Sequence, residues 1–396
     1  MKLSTLVIII VVALAVVGVG IYFLMHQNNA APAPSTGQTG SLPNAGNQQI
    51  GGNGQPTTGN QQPNTTSAHF GVISNDPVLD YFVDAKNNVA IVRPDGIIET
   101  VTNNQGSSVS TSTFSDIATA AFSYDGKKVL INTMDSSGSQ ASVFDLGKKS
   151  WSKLVAKMQG PVWAPASYQV SFLQNAGPGS ETISTINAGS PAAKATVLAT
   201  ITAQDLALQW PNKTTLMLAD KPSVYTAGSV WAFNIPNQTI TPLVQEYQGL
   251  ESIWSNTTST LGLVFAGGAQ NSGGHLSLIE SKGNQKALTF ATLPSKCVFA
   301  MAAGNQPPAT SSQLAIFCAV PRDQQTFSIA RLPDEYEQKI LFTADDLYKV
   351  NTADGTLSVL FNDPNQTVDA TKLKVFNNTL FFVNRYDQKL YAVSLQ

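Results

Sequence analysis

This chain of 396 residues is short of charge, histidine and cysteine, and each shortage removes a class of function. Charged residues make up 12% of it, against about 25% in an ordinary soluble domain, and the formal net charge is −2. No basic stripe is available to neutralise phosphates, so a nucleic-acid surface is excluded. The three histidines, His26, His69 and His275, stand far apart in sequence, and none has a partner at metal-ligand spacing, so no metal is expected. A GxSxG elbow, a P-loop and an HExxH pair are all missing. No cofactor and no catalytic residue is assigned. Long amphipathic helical periods are scarce after residue 70, which leaves short strands as the building material.

What is present starts with a long apolar run. LSTLVIIIVVALAVVGVGIYFLM follows Met1-Lys2 and carries no charge. At about 1.5 Å per residue, roughly 22 helical residues reach about 33 Å, enough to cross a bilayer core. Residues 1–26 are therefore expected to form a transmembrane anchor, with signal cleavage near Ala30-Ala31-Pro32-Ala33 as the alternative. Lys2 and the α-amino group are the only positive charges before the span, and no Lys or Arg follows it until Lys86. The positive-inside bias then keeps the N-terminus in the cytoplasm, with the C-terminal domain outside the cytoplasm. Residues 27–68 are Asn, Gln, Gly, Pro, Ser and Thr with few aliphatics, too polar to offset their ordering entropy, and read as a disordered linker.

Residues 69–396 repeat. AAFSYDGKKVLINT from Ala120 with SVFDLGKKSWSKLV from Ser142 sets a unit that recurs as PVWAPASYQVSFLQ, LALQWPNKTTLMLA and SIWSNTTSTLGLVFA, each with its own partner run. The aromatic closing the first strand falls at Phe122, Trp163, Trp210, Trp254 and Phe299, at spacings of 41 to 47 residues. That matches the roughly 40–50 residues of a four-stranded propeller blade. Seven blades are expected, with six or eight as alternatives. The last unit, from Val375, has only three strands, and the isolated HFGVIS at His69 is expected to supply its fourth and close the ring.

Both cysteines, Cys297 and Cys318, sit in the sixth unit, one on each strand of a hairpin turning near Pro307-Pro308. Directly opposed residues in such a hairpin have Cα atoms about 4.5 Å apart, inside the range a disulfide accepts. A Cys297–Cys318 bridge is expected, and two buried free thiols are the alternative.

Phe122-Ser123-Tyr124-Asp125-Gly126 followed by Lys127-Lys128-Val129-Leu130 resembles the aromatic-Ser-x-Asp-Gly core of WD40-like propeller blades, as in the TolB and dipeptidyl-peptidase-IV families. Trp163-Ala164-Pro165 and Trp254-Ser255-Asn256 retain only part of it. The Lys296 to Phe299 and Cys318 to Pro321 segments are also similar to those of uncharacterised single-pass anchored propeller proteins of candidate-phylum bacteria. The resemblance implies a propeller and no particular activity. Dipeptidyl-peptidase-type enzymes append a hydrolase domain to the propeller, whereas here the sequence runs out with the last blade.

Carboxylates cluster at Asp334-Glu335-Tyr336-Glu337 and at Asp345-Asp346. A two-carboxylate hydrolase or lyase could use them, although a solvated loop followed by a strand-entry turn is the simpler expectation. Phe299 and Phe376 lie 77 residues apart, so the sixth unit carries an insertion of roughly 30 residues. Much of it, from Arg322, falls between the second and third strands, on the face where propellers commonly bind ligands. It is read as a recognition loop presenting Arg322, Arg331, Asp334, Glu335 and Tyr336, with a cap packed over a neighbouring blade or the central channel as the alternative. The resulting expectation is a non-enzymatic binding or scaffold module held at the cytoplasmic membrane, with an envelope protein, peptide or glycan as partner.

Overall fold

Runs such as Val89–Val92 and Lys128–Asp135 are rich in β-branched and aliphatic residues, which fit a pleated sheet covered on its faces. The computed structural model describes residues 70–136, 138–190, 193–256, 261–267, 274–280, 284–301 and 314–395. The expected anchor, the linker and the Pro307-Pro308 turn lie outside them. Among these residues the strands form seven four-stranded antiparallel sheets, six of them following chain order. The protein is therefore a seven-bladed β-propeller. Blades one to six span residues 80–110, 117–156, 159–201, 206–248, 251–287 and 297–361. Blade seven takes Ala370–Phe376, Thr379–Asn384 and Leu390–Ser394 from the C-terminal end and Phe70–Val72 from the N-terminal side.

That seventh sheet closes the ring as the sequence suggests. Phe70, Gly71 and Val72 pair with Val393, Ala392 and Tyr391, and the Phe70 ring stacks on Phe361 of blade six with centroids 4.4 Å apart. At the seam between blades seven and one, Tyr81 donates its hydroxyl to the carbonyls of Lys372 (2.7 Å) and Phe381 (2.9 Å). Val83, Ile91, Val383 and Leu390 fill the apolar layer beside it.

Similar apolar layers join the other blades. Phe172 and Val170 of blade three pack against Leu130 and Val143 of blade two, and Phe382 and Leu380 of blade seven pack against Phe317 and Leu347 of blade six. A sheet buried on both faces needs apolar residues at consecutive positions. Leu314–Pro321 shows this: all eight of its residues are buried. The Asp125-Gly126 turn has its own steric reason. Gly126 has φ of +71°, and a Cβ there would lie 2.2 Å from the Phe82 ring of blade one, so only glycine suits the turn.

Cys297 and Cys318 are register partners in the first hairpin of blade six and are bonded, with Cα atoms 4.1 Å apart.

Candidate functional site

In an antiparallel blade, the hairpins between second and third strands emerge on the same face as the links between blades. On that face of blade six, residues 322–344 depart from the repeat and fold into two short helices, α1 (Gln324–Ile329) and α2 (Asp334–Glu337). Helix α1 is started by Asp323, whose Oδ1 accepts from the Thr326 amide at 2.9 Å. Such capping satisfies an otherwise orphaned helix donor. Gln324 then fastens α1 to the link between blades five and six. Its Nε2 donates to the Ala291 carbonyl (3.0 Å) and its Oε1 accepts from the Ala291 amide (2.9 Å).

The chain next crosses towards blade four. The Leu332 carbonyl lies against Gly249 and Gly267, where a Cβ would approach it to 2.6 and 2.8 Å. Glycine at both positions is what lets the inserted backbone come so close. Asp334, at the start of α2, accepts from the Ser223 hydroxyl (3.0 Å) and the Val224 amide (2.6 Å) of blade four. The insertion is thus a cap fixed to blades four to seven.

Its firmest attachment is a buried ionic cluster. Lys296, at the entrance to blade six, has 0% exposure. Its Nζ contacts Asp345 Oδ2 (2.7 Å), Asp369 Oδ1 (2.6 Å), Thr343 Oγ1 (3.0 Å) and the Tyr336 hydroxyl (3.1 Å). Arg385 of blade seven adds a second cation. It pairs with Asp369 Oδ2 at 2.9 Å, donates to the Tyr336 carbonyl at 2.8 Å and lies 3.8 Å from the Tyr336 ring centroid. Two cations therefore meet two carboxylates, which is how a dry site tolerates charge.

The titration directions follow from this packing. Burial alone would lower the Lys296 pKa, but Asp345, Tyr336 and Asp369 outweigh it and hold the ammonium above its ordinary range. Burial works against the charged form of Asp369 too, yet Lys296 and Arg385 keep its carboxyl below the usual value. Asp345 goes the other way, raised by burial beyond what Lys296 restores, and its Oδ1 finds no hydrogen-bond partner. Burial likewise raises the Tyr336 phenol.

The five residues read as a recognition loop are therefore divided. Tyr336 is not presented outward: it is 5% exposed and its hydroxyl donates to Asp369 Oδ1 at 2.8 Å. Arg322 is tied to Asp346 Oδ1 (2.6 Å) and to the Asp363 carbonyl (2.8 Å). Asp334 holds the cap to blade four. Arg331 and Glu335 remain at the surface, paired with each other at 2.7 Å, and Arg331 also donates to the Tyr225 hydroxyl at 3.1 Å. The solvated loop expected for Asp334–Glu337 is corrected as well, because Asp334 is engaged and Tyr336 is buried, whereas Asp345 does stand at a strand entry, fully buried.

The charge pattern of the sequence does not mark the apolar residues exposed on and beside the cap. Ile340 is 66% exposed and Ile329 and Phe342 of the cap are exposed too, with the exposed Tyr386 of blade seven 5.4 Å from the Phe342 ring and the exposed Tyr225 of blade four at Arg331. On the same face, burial pushes the Glu251 carboxyl up to about 7, with Glu337 reinforcing the shift, while Glu251 Oε1 accepts from the Ser295 amide at 2.5 Å. Among the described residues no group of His, Cys, Asp and Glu is arranged to hold a metal, and no helix is long and apolar enough to cross a membrane. Asp80 and Asp84 make separate contacts: Asp80 binds Lys374, and Asp84 closes a turn with Lys86 and Asn88.

No family model matches the chain, and no curated protein matches it. Solved structures do. The chain is similar to an oligogalacturonate lyase from Vibrio parahaemolyticus (10% identity, TM-score 0.54, covering 84% of this chain and 95% of the lyase). It is also similar to the β-propeller domain of the Trilobed protease from Pyrococcus furiosus (10%, 0.50, covering 81% and 96%). A prolyl endopeptidase is matched at 13% identity and TM-score 0.50, over 79% of this chain but 47% of the enzyme. The chain spans less than half the length of the peptidases it matches. At these identities the shared property is the fold, and the chain stands structurally among the β-propeller proteins.

Proposed function

We propose that the protein is a non-enzymatic binding or scaffold module whose capped face docks an envelope partner, with residues 1–26 anchoring it in the cytoplasmic membrane and 27–68 serving as a tether. Kinship with the single-pass anchored propellers of candidate-phylum bacteria belongs to the same proposal. The observation that carries it is the cap itself, which is pinned by buried polar contacts while it exposes Ile329, Ile340, Phe342 and the Arg331–Glu335 pair, with Tyr225 of blade four at Arg331 and Tyr386 of blade seven at Phe342. Aromatic, aliphatic and Arg side chains on a fixed support are what protein interfaces use as anchors.

A hydrolase or lyase acting outside the cytoplasm is the second reading, favoured by one feature. Glu251, titrating at about 7 beside Glu337, could exchange a proton near neutrality. Asp345, Asp369, Asp346, Asp334 and Glu335 on this face are engaged by Lys296, Arg385, Arg322, Ser223 and Arg331.

The test replaces Arg331, Ile340 and Phe342 together by Ala in the full-length chain, checks folding by circular dichroism, and compares cross-linked partners with those of the unchanged protein. The binding reading expects the partner to be lost. Unchanged recovery would remove the cap from the site, and turnover of a glycan or peptide that Glu251→Gln abolishes would establish the enzyme reading instead.

A further inference from the structure

Away from the cap, the hairpins of blades two and three are long. Lys128–Asp135 turns into Gly138–Asp145, and Gln169–Gly177 turns into Ser180–Asn187. Both are second-to-third-strand hairpins, so they rise on the same face as the cap. Between them lies a cavity of about 630 Å³ lined by Ser139, Lys157, Gln159, Gln174, Asn175 and Thr182, with Met134 and Gly138 at its wall.

Two of these polar groups are committed to the protein. The Ser139 hydroxyl bonds within blade two, and Thr182 Oγ1 donates to the Gln174 carbonyl. Three others have no protein partner among the described residues: the Lys157 ammonium, the Gln159 amide and the Asn175 Nδ2, whose own Oδ1 accepts from Gly177. Among the described residues no carboxylate lines the cavity. Below Thr182, on the same side of its strand, the buried Ser184 hydroxyl also lacks a partner.

We propose that this cleft is a second ligand site, for a short oligosaccharide that carries a carboxylate. Three hydrogen-bond donors with one positive charge converge on it, and they call for a ligand rich in acceptors and singly acidic at the Lys157 end. Hydroxyl, ring and carboxylate oxygens of a di- or trisaccharide supply that pattern and fit the volume. A peptide is the poorer match. The backbones of both hairpins are already paired across, Met134 with Ser139 and Gln174 with Thr182, so side chains and not a sheet edge do the recognising. The lining also offers no deep apolar pocket for a peptide side chain.

The test is isothermal titration of the full-length protein with 3′-sialyllactose and triguluronate, using lactose as the neutral control and the peptide Gly-Glu-Gly as the acidic peptide control. At least one acidic saccharide should bind more tightly than lactose. Lys157→Gln should weaken it about tenfold, as loss of a charge-assisted hydrogen bond implies, and Asn175→Ala should weaken it by about threefold. Added salt should weaken it too. Lack of binding by both acidic saccharides, or binding that Lys157→Gln leaves unchanged, would overturn the proposal. Lys157-dependent binding of Gly-Glu-Gly in preference to the saccharides would overturn it in favour of a peptide site. The cap is not involved, so this outcome is independent of the partner test above.

Discussion

At the scale of single residues, a few of the protein's scarce charges are hidden. The Lys296 ammonium has Asp345, Asp369, Tyr336 and Thr343 as its polar partners, and with Arg385 it is what allows two carboxylates to be buried together. Removing one partner from such a group leaves a charge uncompensated, which typically costs about 3–5 kcal/mol. Lys296→Met is therefore expected to lower unfolding stability by about that amount in urea titration, and a loss under about 1 kcal/mol would show that the cluster is not what holds the cap. Glu251 presents the opposite case. Its carboxyl titrates at about 7 when folded, above its unfolded value, so the folded state binds the proton more tightly. The associated stability is complete at low pH and is lost as the pH rises through about 7. Glu251→Gln keeps the acceptor for Ser295 and removes the ionisation. Its melting temperature should match the unchanged protein near pH 4 and exceed it increasingly towards pH 8. A gain independent of pH would show that Glu251 ionises normally.

At the scale of elements, the strands were legible and the cap only in part. Alternating apolar residues, the Asp-Gly turn and the recurring aromatics mark strands because each blade repeats one local solution, and the position of Cys297 opposite Cys318 follows from the hairpin that holds them. The insertion is visible as excess length between Phe299 and Phe376. Its inward contacts are not visible, because Tyr336 faces Asp369 and Lys296 across 33 and 40 residues of sequence, and neither partner belongs to a local pattern. Ile340 and Phe342 are not marked in the sequence for a related reason: they follow α2 in irregular chain with no periodicity to assign them a face, and only the tertiary packing shows that they stay exposed. The Phe70–Val72 strand, by contrast, was legible because the last blade lacked a fourth strand. Deleting residues 69–75 should expose the edge of Leu390–Ser394 and remove the Phe70 stack on Phe361. A melting temperature lower by several degrees, with increased self-association, is the expected result. An unchanged melting temperature would refute closure by this strand.

At the scale of the whole propeller, one face combines a cap pinned over blades four to seven with a polar cleft between blades two and three, and the opposite face carries the short turns between first and second strands. Tyr124 lies in one of those turns and is 46% exposed, so it serves as a matched position on the far side. The account rests on the cap being the docking surface. The most direct measurement places a photo-reactive amino acid at Ile340 in one full-length variant and at Tyr124 in another, irradiates cells expressing each, and identifies the adducts by mass spectrometry. The account predicts a discrete partner cross-linked from position 340 and absent from position 124. The same adduct from both positions, or an adduct from 124 alone, would contradict it.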